Sequence, residues 1–185
     1  MKIGFMGLGK LGLPCALAIE QKGHEVYGYD ISSAVKTILD TKELPYREEG
    51  ASELLQNHNI NFCDVENMVK NSDIIFVPIQ TPHDPYFEGT TRLPDERVDF
   101  DYTYLKDGLK TLSDEIDRQG SEKIVIIIST VLPGTVRREI KPILSNLIKL
   151  CYNPFFIAMG TTLNDFINPE FVLFGVDDKG AYETA

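Results

Sequence analysis

Short apolar runs and longer stretches with helical spacing take turns along this chain. Residues 2–6, 24–30, 59–63, 73–78, 123–129, 148–152 and 171–176 read as strands, being apolar, β-branched or aromatic over strand length. Between them, apolar residues recur at helical spacing over residues 11–21, from Ser32 or Ser33 to Leu39, and over 48–56, 102–116 and 135–144. The strands at 73–78 and 123–129 are apolar throughout rather than alternating, as strands covered on both faces are. The pattern therefore predicts an α/β, doubly wound, mostly parallel sheet with helices on both faces, filling residues 1–185 as one domain. Only residues 83–101 break it. They hold Pro85, Pro94, Gly89, acids and aromatics with no period, and a loop this long is either a lid beside a functional crevice or a solvated insertion.

The first strand runs into Gly7-Leu8-Gly9-Lys10-Leu11-Gly12 and then into a helix. In this G-x-G-x-x-G spacing, the first glycine permits a tight turn, the second lets a pyrophosphate approach the backbone, and the third lets the helix pack on the strand. Glycines also cluster in plain turns, so the spacing alone is weak. The context strengthens it, because the second strand ends in Asp30 at about the separation expected for the carboxylate that binds the adenosine ribose hydroxyls. The helix N-terminus would hold the phosphates through its unpaired N–H groups, with Lys10 the single cation of the loop and Leu11 opening the helix. A carboxylate at Asp30 would repel the 2′-phosphate of NADP, so the expected cofactor is NAD.

Composition changes this picture little. The chain is 43% hydrophobic and 25% charged, which is ordinary for a globular domain. Lys and Arg number 18 against 28 Asp and Glu, and a formal charge of -10 argues against nucleic acid and anionic membranes as partners. Small anions must then be bound locally. Cys15, Cys63 and Cys151 have no C-x-x-C spacing and suggest reduced thiols in a cytoplasmic protein. No signal peptide or membrane span is expected, since the longest apolar run, residues 124–128, has the length of a buried strand. His24 and His58 read as solvated loop residues, and no second ligand stands at metal spacing.

In a doubly wound sheet, the loops at the carboxyl ends of the strands line the ligand crevice. Thr81-Pro82 lies there after the fourth apolar run. It is either a hydroxyl offered to the dinucleotide or a simple turn, and the spacing leaves both open. Ser129 and Thr130 stand at the same edge, where the most hydrophobic strand gives way to Val131-Leu132-Pro133-Gly134-Thr135. His83 and Asp84 are neighbours in sequence, which rarely face one another, so they make a poor acid–base pair.

These residues resemble the NAD-binding domain of the UDP-glucose/GDP-mannose dehydrogenase family. The resemblance spans essentially the whole chain and rests on Gly7-x-Gly9-x-x-Gly12-Leu13-Pro14, Asp30, Thr81-Pro82, Ser129-Thr130-Val131-x-Pro133-Gly134-Thr135, and Asp165-Phe166-x-x-Pro169 with Gly175. It implies a Rossmann-type fold and an NAD-dependent oxidation of a nucleotide sugar's primary alcohol to a carboxylate by two hydride transfers, a reaction of polysaccharide biosynthesis. In that family a cysteine captures the aldehyde and the second oxidation leaves a thioester for water to hydrolyse. The resemblance implies that this cysteine, a lysine, an asparagine and most sugar-nucleotide contacts belong to central and C-terminal domains beyond this chain. The chain stops as a further helix begins and reads as a fragment, inactive alone. Family members dimerise through a central helical segment, so a full-length homodimer and a monomeric fragment are expected. Thr130 matches the catalytic threonine that hydrogen-bonds near the reacting centre and helps place water. Cys15 and Cys151, on a helix and in a strand, are expected to be buried and inert.

Two departures stand out. Where the family reads N-P-E-x-x-x-E-G, this chain has Asn153-Pro154-Phe155-Phe156-Ile157-Ala158-Met159-Gly160, with Phe155 and Met159 replacing both carboxylates. The lysine often found shortly after the ribose-binding acid is displaced, with Val35 in its place and Lys36 following. The sequence thus also admits a non-catalytic NAD-binding or scaffold protein, or a simple one-step alcohol or hydroxyacid dehydrogenase.

Overall fold

The computed structural model describes residues 1–87, 92, 94–176, 180 and 183. Its strands are β1 (Lys2–Met6), β2 (Glu25–Tyr29), β3 (Asn61–Phe62), β4 (Ile74–Val77), β5 (Lys123–Ile127), β6 (Ile148–Tyr152) and β7 (Gly175–Val176). They form one sheet in the order β3-β2-β1-β4-β5-β6-β7. All pairs are parallel except β6 with β7. The order reverses between β1 and β4, which is the topological switch point where a doubly wound sheet opens its ligand crevice. The expected Rossmann-type architecture is the one observed.

The helices are α1 (Gly12–Gln21), α2 (Ser33–Thr41), α3 (Ala51–Gln56), α4 (Val65–Asn71), α5 (Thr103–Gln119) and α6 (Thr162–Ile167). Alternation along the strands divides the core in two. Met6, Ile75, Val77, Val125 and Ile127 face α4 and α5, where Leu105, Leu109, Leu112 and Ile116 are fully buried. Ile3, Phe5 and Val26 face α1 and α3 on the other side with Leu13, Leu17 and Leu55. Phe5 and Phe76 stack there at 5.1 Å.

Several elements differ from their sequence expectation. The stretch over 135–144 is not one α-helix but a π-helical turn, Val136–Ile140, followed by the 3-10 turn Lys141–Ile143. Pro142 has no N–H to donate, and its ring crowds the carbonyl four residues back, so a regular helix cannot pass through it. The expected strand over 171–176 shrinks to Gly175–Val176, with Phe171, Val172 and Leu173 about half exposed on the sheet edge. α3 begins only at Ala51, because Gly50 sits at φ 77° and Glu48 turns inward. α4 and α6 lie in stretches that the periodicity left unassigned. α4 has Asp64 at its N-cap, accepting from Asn67 N–H at 2.8 Å, but with seven residues it is too short to display a period.

His58 is half-buried rather than solvated. Its Nδ1 accepts from Ile60 N–H at 3.2 Å, so Nε2 carries the proton that bonds Leu39 O at 3.1 Å. Within residues 83–101, the described positions hold only the 3-10 turn Pro85–Phe87, and Asp101 N–H bonds Pro82 O at 2.8 Å. Gly89, expected within this loop, lies outside the described residues, as do residues 177–179.

Candidate functional site

The carboxyl end of β1 turns into α1 through the glycine loop, and the backbone shows why each glycine is there. Gly7 has φ 119°, a conformation that L side chains avoid, and its N–H bonds Tyr29 O of β2 at 2.8 Å. A Cβ on Gly12 would lie 2.2 Å from Gly7 O and 2.8 Å from Pro78 Cγ, so close packing of helix, loop and β4 demands glycine. Gly9 is different. It is exposed, its φ is not positive, and a Cβ there would meet nothing within 4 Å. Nothing in the described protein requires glycine at position 9, but a pyrophosphate laid against the backbone does.

Asp30 follows β2 directly and is half-buried. Its Oδ2 accepts from Leu8 N–H at 2.7 Å and its Oδ1 from Ser32 N–H at 2.8 Å, which holds the carboxylate at the rim of the glycine loop. Each oxygen keeps further lone-pair capacity for a ribose hydroxyl. Lys10 is exposed, with Nζ 5.8 Å from the centre of the Tyr46 ring, a cation–π distance. Leu11, just before α1, is half-buried against the cluster of Ile74, Ile126, Ile128 and Cys151. These residues fit a dinucleotide: a glycine with open space before it, a helix N-terminus, and an anchored acid at the end of β2.

Across the switch point, Pro78 touches the glycine loop and leads to Thr81. The Thr81 hydroxyl donates to Thr130 O at 2.7 Å, so the β4 and β5 loops are joined at the crevice edge. Its proton is thereby committed to the protein, while its oxygen can still accept. Ser129 is buried and donates to Val77 O at 3.0 Å, whereas the Thr130 side chain is exposed. The structure therefore brings Gly7, Gly9, Gly12, Asp30, Thr81 and Thr130 to one edge of the sheet.

Phe155 and Met159 part company in space. Phe155 turns onto the α1 face and meets Phe166 at 5.1 Å, while Met159 is 66% exposed. With Phe156, Phe171 and Phe174, Phe155 lines an apolar groove of about 310 Å³ that also reaches Met1 and His24, near the amino ends of β1 and β2 and away from the glycine loop. Cys15 and Cys151 are fully buried. Burial, with a smaller contribution from Glu48, pushes the Cys15 thiol far up, and burial raises that of Cys151 to about 11. Neither is a nucleophile. Among the described residues no three His, Cys, Asp or Glu gather as a metal site, and no helix is long and apolar enough to cross a membrane.

Sequence reasoning missed three residues near this edge. Glu48 is 5% exposed and accepts from Gly160 N–H at 3.0 Å and Leu163 N–H at 3.1 Å, tying residues 45–50 to the start of α6. Tyr102 and Tyr152 place their hydroxyls under the turn after Thr130. Tyrosines count as core or strand formers in an apolar pattern, and nothing in the spacing marks which hydroxyl will meet a backbone N–H.

Comparison with known proteins agrees with this geometry. The model of the UDP-glucose/GDP-mannose dehydrogenase family, NAD binding domain, matches residues 1–185. An uncharacterised protein of Methanocaldococcus jannaschii is 32% identical over 182 residues, covering 96% of this chain and 19% of that relative. GDP-mannose 6-dehydrogenase of Pseudomonas aeruginosa is 27% identical over 192 residues, covering 97% of this chain and 42% of the enzyme. Among solved structures, a ternary complex of GDP-mannose dehydrogenase from P. aeruginosa superposes with a TM-score of 0.85 at 26% identity, over 100% of this chain and 43% of that one. A UDP-glucose dehydrogenase from Pyrobaculum islandicum gives 0.82 at 25% identity, over 99% and 42%. The chain thus spans less than half the length of the dehydrogenases it matches. It belongs to the UDP-glucose/GDP-mannose dehydrogenase family, of which it is the NAD-binding domain.

Proposed function

We propose that this chain is the cofactor half of an enzyme that oxidises the primary alcohol of a UDP- or GDP-linked sugar to a carboxylate, with NAD as hydride acceptor. The observation that carries the cofactor reading is Gly9, exposed and with open space where a side chain would stand, between an anchored Asp30 and the start of α1. In this reading the amides at the start of α1 and Lys10 hold the pyrophosphate. Gly7 and Gly12 shape the loop, and Leu11 walls it. Asp30 holds the adenosine ribose. Thr81 and Thr130 border the nicotinamide end, with the Thr130 hydroxyl available to orient water or substrate. NAD supplies two-electron oxidation when bound. In this reading the sugar-nucleotide wall and the nucleophilic thiol come from outside this chain: Cys15 and Cys151 are buried, and burial and the nearby Asp64 push the half-buried Cys63 thiol up, away from the reactive thiolate.

Calorimetry with NAD and NADP tests the cofactor assignment. NAD should bind more tightly, and Asp30→Ala should weaken it by about 1–3 kcal/mol through loss of a hydrogen bond to a charged group. Equal affinity for NADP overturns the role of Asp30. The chain alone should produce no NADH from UDP-glucose or GDP-mannose, and steady production would place the nucleophile within it. Phe155 and Met159 favour a second reading, in which the fold binds NAD without completing the four-electron oxidation. Product analysis by mass spectrometry on the protein together with the rest of its catalytic site separates the two: accumulation of aldehyde or thioester supports the second, complete conversion to the uronic acid the first.

A further inference from the structure

The turn after β5 has its backbone polar groups held by side-chain hydroxyls from three other elements. Thr130 O accepts from Thr81 Oγ1 at 2.7 Å, Val131 N–H points to Tyr152 Oη at 3.4 Å, and Leu132 N–H bonds Tyr102 Oη at 3.1 Å. These partners come from the loop after β4, from β6 and from the residue preceding α5. Tyr102 is the hub. It is 4% exposed, and its oxygen also accepts from Thr135 Oγ1 at 3.3 Å. Its own proton goes to Asp99 Oδ1 at 2.5 Å, and the other oxygen of Asp99 is paired with Arg138 at 2.7 Å. A phenol hydroxyl has one donor and two acceptor sites, so Tyr102 is saturated and has one orientation. The Thr130 side chain, by contrast, is exposed and its hydroxyl makes no hydrogen bond among the described residues.

We propose that Tyr102 and Tyr152 are positioning residues for the nicotinamide end of the cofactor site. They touch no ligand themselves. By binding the N–H groups of Leu132 and Val131 they fix the turn that presents Thr130 at the crevice edge, and the Asp99–Arg138 pair fixes Tyr102 in turn. The order of the sheet gives the consequence its specificity. The adenosine side of the crevice is built from β1 and β2 with Asp30, whereas this turn lies beyond β4 at the end of β5, so loosening it should affect one half of the dinucleotide and spare the other.

The inference rests on the NAD reading above, and the test separates the two. ADP-ribose carries the adenosine, the pyrophosphate and the second ribose but no nicotinamide, so it reports the first half of the site, whereas NADH adds the nicotinamide and its fluorescence. The wild-type chain should bind both, NADH more tightly. Tyr102→Phe should leave ADP-ribose affinity within about twofold while weakening NADH about fivefold or more, the size expected from one lost hydrogen bond, and should reduce the fluorescence gain of bound NADH. A role confined to stability would lower the melting temperature and leave the ratio of the two affinities unchanged, and that result overturns the proposal. Should Tyr102→Phe not fold, Tyr152→Phe decides by the same ratio. Failure of the wild-type chain to bind ADP-ribose overturns the cofactor reading itself, and this proposal with it.

Discussion

A Cβ on Gly12 would stand 2.2 Å from Gly7 O, whereas one on Gly9 would meet nothing within 4 Å. The same motif therefore holds one glycine required by the fold and another that nothing in the described protein requires. Gly12→Ala should lower stability by about 1–3 kcal/mol, as overpacking does, with a melting temperature reduced by roughly 2–4 °C per kcal/mol for a chain of this size. Gly9→Ala should melt within about 0.5 kcal/mol of wild type while NAD affinity falls tenfold or more, measured by calorimetry on the same preparation. A Gly9→Ala variant that binds NAD normally would remove the pyrophosphate from this loop. The spacing of the glycines, Asp30 and Thr130 was legible because these residues act through the backbone or stand at strand ends. The roles of Tyr102 and Tyr152 were not, because they depend on a hydroxyl from a distant element reaching an amide.

Among the helices, α5 and α1 could be read from their periods because each lays a long apolar face on the sheet. α6 could not, since its six residues bury only Thr162 and Leu163, and a carboxylate about 115 positions away helps to hold it. Glu48→Ala should leave the N–H groups of Gly160 and Leu163 without their acceptor and cost about 1–3 kcal/mol, seen in thermal melts and in faster amide exchange over residues 158–163. Unchanged exchange there would mean that other contacts hold α6. The π-helical turn after Gly134 was likewise read as regular helix. Pro142 stood in the sequence as the warning, but where the chain would relieve the clash depended on the packing of Ile140 and on Arg138 reaching Asp99.

For the whole molecule, charge matters most through pH. The hydrogen bond from Tyr102, joined by Phe100 N–H and by Arg138, holds the Asp99 carboxyl below its ordinary value, and Asp165, Glu139 and Glu115 are lowered by their own partners. A carboxyl with a depressed folded pKa gives stability that is present above its unfolded pKa, near 4, and lost as pH falls through the folded value. The melting temperature should therefore hold from pH 7 to about 5 and fall below about 4, and Asp99→Asn should show a smaller fall than wild type over that acid range. An identical fall in the variant would sink the Asp99 assignment. At this scale the sequence alone determined the α/β class, the parallel sheet, the glycine loop and its acid, because local periodicity and short-range spacing are properties of neighbouring residues. Only the tertiary structure decided that the strands run 3-2-1-4-5-6-7, that Glu48 closes onto α6, that Phe155 turns onto the α1 face while Met159 stays exposed, and that two tyrosines hold the Thr130 turn. Those outcomes depend on which buried polar groups find partners once the core has packed, and such partners are far apart in the chain.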